Sequence, residues 1–268
     1  MTLFVFEGEK RELNLYDTIK QLFSPKMKED ILCTYKSNIY SLYSELKEYN
    51  TFGDDEEYGS VIKVLNEILS SHGDYTLSNI TDEDVNEIYL FFDYDFQEET
   101  GNLDKNNTHI KEMLEYFVDE TSNGKLYINY PMIESIRYTK KLPDDDYKDY
   151  CISRKDCCSS KNSFKKIAAD FSYYKSLDHI IIPKNKNIEK QKIIQQNWLH
   201  LIDMNLKKAN FICNDLYKFP KTNSDVSQLK IYNNQLKKHV NSNNCEVAIL
   251  NAFPIFIADY IGFSKFEH

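Results

Sequence analysis

Two apolar runs in this chain each end in carboxylates. Phe4-Val5-Phe6 leads into Glu7-Gly8-Glu9, and Ile88-Tyr89-Leu90-Phe91-Phe92 leads into Asp93-Tyr94-Asp95. If both runs are buried strands of one sheet, at least three acids gather at one sheet edge. Strand residues two apart share a face, so Asp93 and Asp95 are expected to point one way and Tyr94 the other. Parallel α/β sheets place ligands beyond the carboxyl ends of their strands, where both acid sets would lie. Repulsion among such groups is best relieved by a hard divalent cation, Mg²⁺ or Mn²⁺, held by a few carboxylates and a substrate phosphate. The expected chemistry is therefore that of phosphate esters.

Gly8 sharpens this reading, because a glycine at a strand end lets the backbone turn tightly or approach a ligand closely. Glu9 and Glu12 follow, three residues apart, where a helix is expected to begin. An ordinary role is open to both, since acids in a first helical turn offset the helix dipole.

The elements that must position these acids alternate along the first half of the chain. Leu3 to Phe6, Ile31 to Tyr35, Ile88 to Phe92 and Lys125 to Asn129 read as strands. Leu13 to Phe23, Ile39 to Tyr49, Tyr58 to Ser70 and His109 to Glu120 read as helices, and a further helix opens with Pro131. Such alternation implies an α/β fold with a parallel sheet covered by helices on both faces. The acidic run Asp54-Asp55-Glu56-Glu57 fits a solvated loop. Leu142-Pro143-Asp144-Asp145-Asp146 reads as an exit, which divides the chain into residues 1–142 and 143–268. Beyond it the pattern is mostly helical: Ser163 to Lys175, Ile188 to Cys213, Val226 to Val240 and Val247 to Ile261, with a short strand at Ile180 to Ile182. Trp198 and His200 fall on an expected helix and read as packing residues. The final apolar run, Val247 to Phe256, fits a core helix or a contact between copies of the chain.

With 268 residues and 41% apolar side chains the chain can bury a sizeable core. No apolar run approaches the roughly 18 residues of a membrane span, and the first strand begins too early for a signal peptide. No membrane partner is expected, and the expected location is cytoplasmic. The six cysteines include no Cys-x-x-Cys pair and are expected to be reduced. Cys151, Cys157 and Cys158 cluster, but no nearby histidine offers a zinc spacing, so no zinc site is expected there.

The net charge of -9 hides an asymmetry. Residues 1–150 hold 32 acids and 15 bases, whereas residues 151–268 hold 10 acids and 18 bases. Charge drift over solvated helix faces would explain this; so would an acidic half that carries metal joined to a basic half that grips a polyanion. Lys161, Lys165 and Lys166 flank Phe164, and Phe171, Tyr173 and Tyr174 follow. Bases and rings mix in this way in nucleic-acid grooves, although helical amphipathicity also accounts for the rings.

Taken together, Phe4 to Glu12 and Leu90 to Asp95 resemble a Toprim domain, and most closely the Toprim nucleases of bacterial abortive-infection and restriction-linked systems such as the RloB, AbiLii and OLD groups. The RloB-like first motif is similar to Glu-Gly-Glu-Lys-Thr-Glu, with Arg11 here in place of the threonine. Tyr130-Pro131-Met132-Ile133-Glu134 resembles a later segment of those proteins, and the likeness covers roughly residues 1 to 140. It implies metal-dependent phosphodiester cleavage of DNA or RNA, transfer RNA included. Glu7 would be the strand-one glutamate and Asp93 and Asp95 the metal pair, with Glu12 and Glu134 completing a second metal site. Glu134 has an alternative, pairing with Arg137 and Tyr138 on a helix surface. OLD-type enzymes add a lysine from beyond the core, a role open to Lys161, Lys165 or Lys166. The resemblance further implies a separately encoded ATPase partner.

Two rivals share these residues. Haloacid-dehalogenase-type phosphatases also use Asp-x-Asp, but near the N-terminus and with threonine or valine two residues later, where this chain has Gln97. A non-catalytic partner or sensor would bind metal only to hold its fold or a neighbouring subunit. No Gly-x-Ser-x-Gly elbow points to a serine hydrolase, and no Gly-x-x-x-x-Gly-Lys loop to a nucleotide-binding ATPase.

Overall fold

The computed structural model describes residues 1–24, 30–52, 60–96, 102–158, 163–183 and 188–267. Its α/β architecture agrees with the alternation in the sequence. A five-strand, mostly parallel sheet has the order β2-β1-β3-β5-β4, made of β1 (Thr2–Phe6), β2 (Asp30–Thr34), β3 (Glu87–Asp93), β4 (Val118–Asp119) and β5 (Gly124–Asn129). Interspersed with these strands along the chain come α1 (Arg11–Phe23), α2 (Ile39–Glu48), α3 (Val61–Ser71) and α4 (Leu103–Tyr116). A more helical remainder follows: β6 (Cys151–Ser153), α5 (Arg154–Cys157), α6 (Phe164–Phe171), α7 (Ile188–Asn214), α8 (Gln228–Gln235), β7 (Glu246–Ala248) and α9 (Ala252–Ile261). No described helix is long and apolar enough to cross a membrane. Pro25 and the acidic run 54–57 lie outside the described residues.

By compactness the chain forms two units. The first contains Met1–Leu13, Lys26–Asp93 and Thr100–Tyr127; the second contains Asn14–Pro25, Tyr94–Glu99 and Ile128–His268. In the first, Leu3 to Phe6 and Ile88 to Phe92 are all buried, as strands covered on both faces require. β1 pairs in parallel with both β2 and β3, with Phe4 opposite Tyr89 and Phe6 opposite Phe91. Those opposed rings lie 5.3 and 5.4 Å apart, and Phe91 stacks on Tyr127 at 5.3 Å, so one face of the sheet is an aromatic ladder that fixes the register. In α2, Asn38 accepts the Ser41 N–H as N-cap, and Ile39, Leu42, Tyr43 and Leu46 are buried at helical spacing.

α4 differs from the expected helix. Asn102 caps it six residues early, and it stops at Tyr116. Val118 and Asp119 then pair antiparallel with Lys125 and Gly124. Gly124 has φ +115, which strains any residue with a side chain, and a Cβ there would sit 3.0 Å from Ile88, a tight contact that Ile88 would have to yield to.

The second unit packs around α7 and α9. A network of buried amides lies between its elements. Asn205 Oδ1 accepts from Tyr147 Oη at 2.8 Å and Asn251 N at 2.9 Å, and Asn251 Nδ2 donates to Ile133 O at 3.2 Å and Ser135 Oγ at 3.0 Å. The helix expected from Pro131 is instead a 3₁₀ turn, Ile133–Arg137. Asn251 takes the Ile133 carbonyl that a continuing α-helix would need. Val247 to Ile261 is likewise divided between β7 and α9, and no strand forms at Ile180 to Ile182.

Asp144 anchors the turn after the Leu142-Pro143 exit. Burial alone would raise its carboxyl. Donation from Lys140 N at 2.8 Å, Thr139 Oγ1 at 2.9 Å, Tyr150 Oη at 3.1 Å and Asp146 N at 3.2 Å together holds it below the ordinary 3.8. The folded state thus takes this proton less readily than the unfolded chain. Asp144 adds stability that is complete above that ordinary value and is lost as pH falls through the lower, folded one. Asp144→Asn is expected to cost about 2 kcal/mol at neutral pH and much less below the carboxylate range. Denaturation curves at the two pH values check this; an equal loss at both would refute it.

Candidate metal centre

The parallel register of β1 and β3 places Glu7 one residue past the end of β1. Its N–H donates to Phe91 O at 3.0 Å and its carbonyl accepts from Lys36 N at 2.9 Å, so the main chain still follows both neighbours there. The side chain turns toward β3, and Glu7 Oε2 accepts the Asp93 N–H at 2.8 Å. Asp93 is buried; Glu7 and Asp95 are half-buried. Glu7, Asp93 and Asp95 each offer a carboxylate oxygen within 4.8 Å of the others. Ligand oxygens around one octahedral Mg²⁺ lie about 2.9–4.2 Å apart, so small side-chain rotations suffice to close the set, and an all-oxygen donor set fits a hard cation.

The acids meet for a different reason from strand alternation. β3 ends at Asp93, and Asp95 has φ +48, in the left-handed region that aspartate tolerates better than most residues. A turn therefore presents its carboxylate, while Tyr94 is buried against Phe96 and Tyr130.

The other expected ligands are not members of this three-acid group. Glu12 is the second residue of α1 and is buried, its carboxylate lying on Gly8: a Cβ at Gly8 would sit 2.7 and 2.8 Å from the two Glu12 oxygens. Gly8 is not in the left-handed region, so its role is to leave space, and what approaches it is the chain's own glutamate. Gly8→Ala is expected to leave the fold intact, because the displaced atoms end a flexible side chain, and to push the Glu12 carboxylate from its place. Thermal stability within about 1 kcal/mol of wild type, with a changed Glu12 position in a crystal structure, is the expected result; unfolding would refute it. Glu9 is exposed and pairs with Lys36 at 2.8 Å. Glu134 is buried on its 3₁₀ turn, so it is not one of a surface pair on a helix, and it does not belong to the three-acid group.

Lys161 lies outside the described residues, while Lys165 and Lys166 are exposed on α6. The neighbouring rings mostly pack: Phe164 and Phe171 stack on Tyr138 at 5.6 and 4.2 Å, and Tyr174 stacks on His179 at 3.9 Å. Tyr173, 73% exposed, is the ring of this group that faces solvent. Amphipathic packing therefore accounts for most of the mixture of bases and rings. Trp198 is fully buried, as expected of a packing residue. No protein-family model, curated protein or solved structure matches this chain.

Proposed function

We propose that the protein is a metal-dependent nuclease, in which Glu7, Asp93 and Asp95 hold Mg²⁺ or Mn²⁺ for hydrolysis of phosphodiester bonds in DNA or RNA. The observation that carries this reading is the convergence of three carboxylates beyond the carboxyl ends of adjacent strands, with Glu7 tied to Asp93 by the 2.8 Å bond. When bound, the metal would activate water and offset charge on the attacking and leaving oxygens. Glu7 Oε2 accepts the Asp93 N–H at 2.8 Å, which fixes the orientation in which its carboxylate would meet a ligand. Asp93, buried at the strand end, supplies the fixed point, and Asp95 closes the set from its turn.

The exposed Lys165 and Lys166, in the basic half of the chain, support a polyanionic substrate. The likeness to abortive-infection nucleases adds a role as a toxic effector against phage, restrained by a separately encoded ATPase.

The test is incubation of labelled DNA and RNA pools with Mg²⁺ or Mn²⁺, comparing wild type with Asp93→Ala. Metal-dependent cleavage that the variant lacks is the expected result. Equal cleavage by both, or none by wild type with or without its partner, would overturn the proposal; the second outcome would leave a non-catalytic metal-binding subunit. Binding to nucleic acid is expected to fall steeply between low and physiological salt, roughly in proportion to the phosphates contacted, and a flat salt profile would exclude the basic half as the grip.

A further inference from the structure

A second donor cluster lies within the second unit. Cys151, His239 and Glu246 bring one sulfur, one nitrogen and one oxygen to within 4.8 Å of one another. Cys151 Sγ is 3.9 Å from His239 Nδ1, which is 3.6 Å from Glu246 Oε1. The second distance is that of a long ion pair, beyond the 2.7–3.2 Å of a well-formed N–H···O hydrogen bond. It does suit ligands of a common ion. With Zn–S near 2.3 Å and Zn–N or Zn–O near 2.0–2.2 Å, tetrahedral geometry puts neighbouring donors about 3.3–3.6 Å apart. The Cys151–His239 and His239–Glu246 spacings exceed those edges by about 0.3 Å, and the Cys151–Glu246 pair lies within 4.8 Å.

We propose that Cys151, His239 and Glu246 are three ligands of a zinc-class dication, with the fourth position open to water or another ligand. Thiolate, imidazole and carboxylate together select a borderline metal such as Zn²⁺ over Mg²⁺ or Ca²⁺, which take oxygen ligands. The two anionic ligands balance the charge of the dication. Side-chain exposures of 21% for His239 and 28% for Glu246 leave the cluster an entry path.

The fold fixes each ligand separately. Cys151 opens β6 and Glu246 opens β7, and the antiparallel register sets Cys151 opposite Ala248 and Ser153 opposite Glu246, a diagonal pair on one face. Lys208 Nζ donates to Tyr147 O at 2.9 Å and Tyr150 O at 2.5 Å, holding the chain immediately before Cys151. The buried Gln235 amide bonds both the N–H and the carbonyl of Ala248, at 3.0 and 2.8 Å, and so clamps the end of α8 to β7. His239 stands four residues on, in a π-helical turn, Leu236–Val240, a geometry that recurs at functional sites. Cys245, just before Glu246, adopts φ +44, an uncommon conformation for a residue other than glycine. His239 and Cys151 are 88 residues apart in sequence, so no ligand spacing could reveal the cluster.

The test uses the full chain stripped with a chelator and titrated with Co²⁺. One equivalent is expected to produce a sulfur-to-cobalt charge-transfer band, which an all-oxygen site such as Glu7, Asp93 and Asp95 cannot give, and Zn²⁺ should displace it. Cys151→Ser is expected to abolish the band and Cys245→Ser to keep it. His239→Ala and Glu246→Gln should each weaken metal binding by more than about 100-fold, because even partners outside the coordination shell are worth 10–100-fold. Glu246→Gln, at a half-buried position, keeps the test valid should Cys151→Ser fail to fold. Absence of the band, its survival in Cys151→Ser, or undiminished affinity in Glu246→Gln would overturn the proposal.

Discussion

Glu7→Ala is expected to lose both metal-dependent cleavage and stability, whereas Glu7→Gln should lose cleavage alone. Either change removes the anionic ligand. If the metal contributes several kcal/mol to the reaction, cleavage falls by roughly a thousandfold or more. The two variants differ at Asp93. Its backbone N–H is buried and donates to Glu7 Oε2 at 2.8 Å, an interaction that alanine cannot replace but the glutamine carbonyl can. A buried donor left without an acceptor costs about 1–3 kcal/mol, so Glu7→Ala should unfold at lower denaturant concentration and Glu7→Gln near wild type. Mg²⁺ should raise the melting temperature of wild type by mass action and do so less for either variant. Cleavage retained in Glu7→Gln would remove Glu7 from the metal site while leaving its structural role intact.

The main strands were legible because each is a short, continuous apolar run. Phe4 to Phe6 and Ile88 to Phe92 admit little else, and the carboxylates after them fall at the strand ends as their order implies. Glu7 and Asp93 come close together once the two runs are neighbours in one sheet, a pairing that the sequence leaves conditional and the structure supplies. Asp95 reaches this group by a route other than strand alternation: β3 ends at Asp93, and a left-handed turn presents the carboxylate. Nothing in the spacing distinguishes those two routes.

Elsewhere the deciding contacts come from far along the chain. The three-residue strands β6 and β7 exist only as a pair, with Cys151 opposite Ala248, and alone neither has a readable pattern. An apolar run such as Val247 to Phe256 does not by periodicity separate a buried strand from a buried helix, and the structure uses it for both. The segment from Pro131 has a sound helix start, yet Asn251 takes its carbonyl. The cysteine cluster gave no zinc spacing, because the donors nearest Cys151 belong to a π turn 88 residues later and to a strand beyond it. Gly8 stood out as a position where something approaches closely; only the side-chain packing identifies the approaching group as Glu12.

Trp198→Ala is expected to be among the most destabilising single changes in the second unit, costing about 3–5 kcal/mol from lost packing alone. Trp198 is fully buried near the middle of α7, and its Nε1 donates to Ile180 O at 2.8 Å. The preceding residue does the same work beside it, Asn197 Nδ2 donating to His179 O at 2.7 Å. These two side chains explain why Ile180 to Ile182 is not a strand. Ile180 N and Ile181 N both donate to Leu177 O, and Ile182 N donates to Thr18 Oγ1, so turn and side-chain partners satisfy groups that a sheet would otherwise pair. Trp198→Phe should keep most of the packing but leave the Ile180 carbonyl without its donor, at about 1–2 kcal/mol. Urea denaturation followed by circular dichroism compares the three proteins, since Trp198 is the single tryptophan and its fluorescence disappears with it. A loss in Trp198→Phe as large as in Trp198→Ala would mean that the hydrogen bond, rather than ring burial, holds the 180–182 segment against α7.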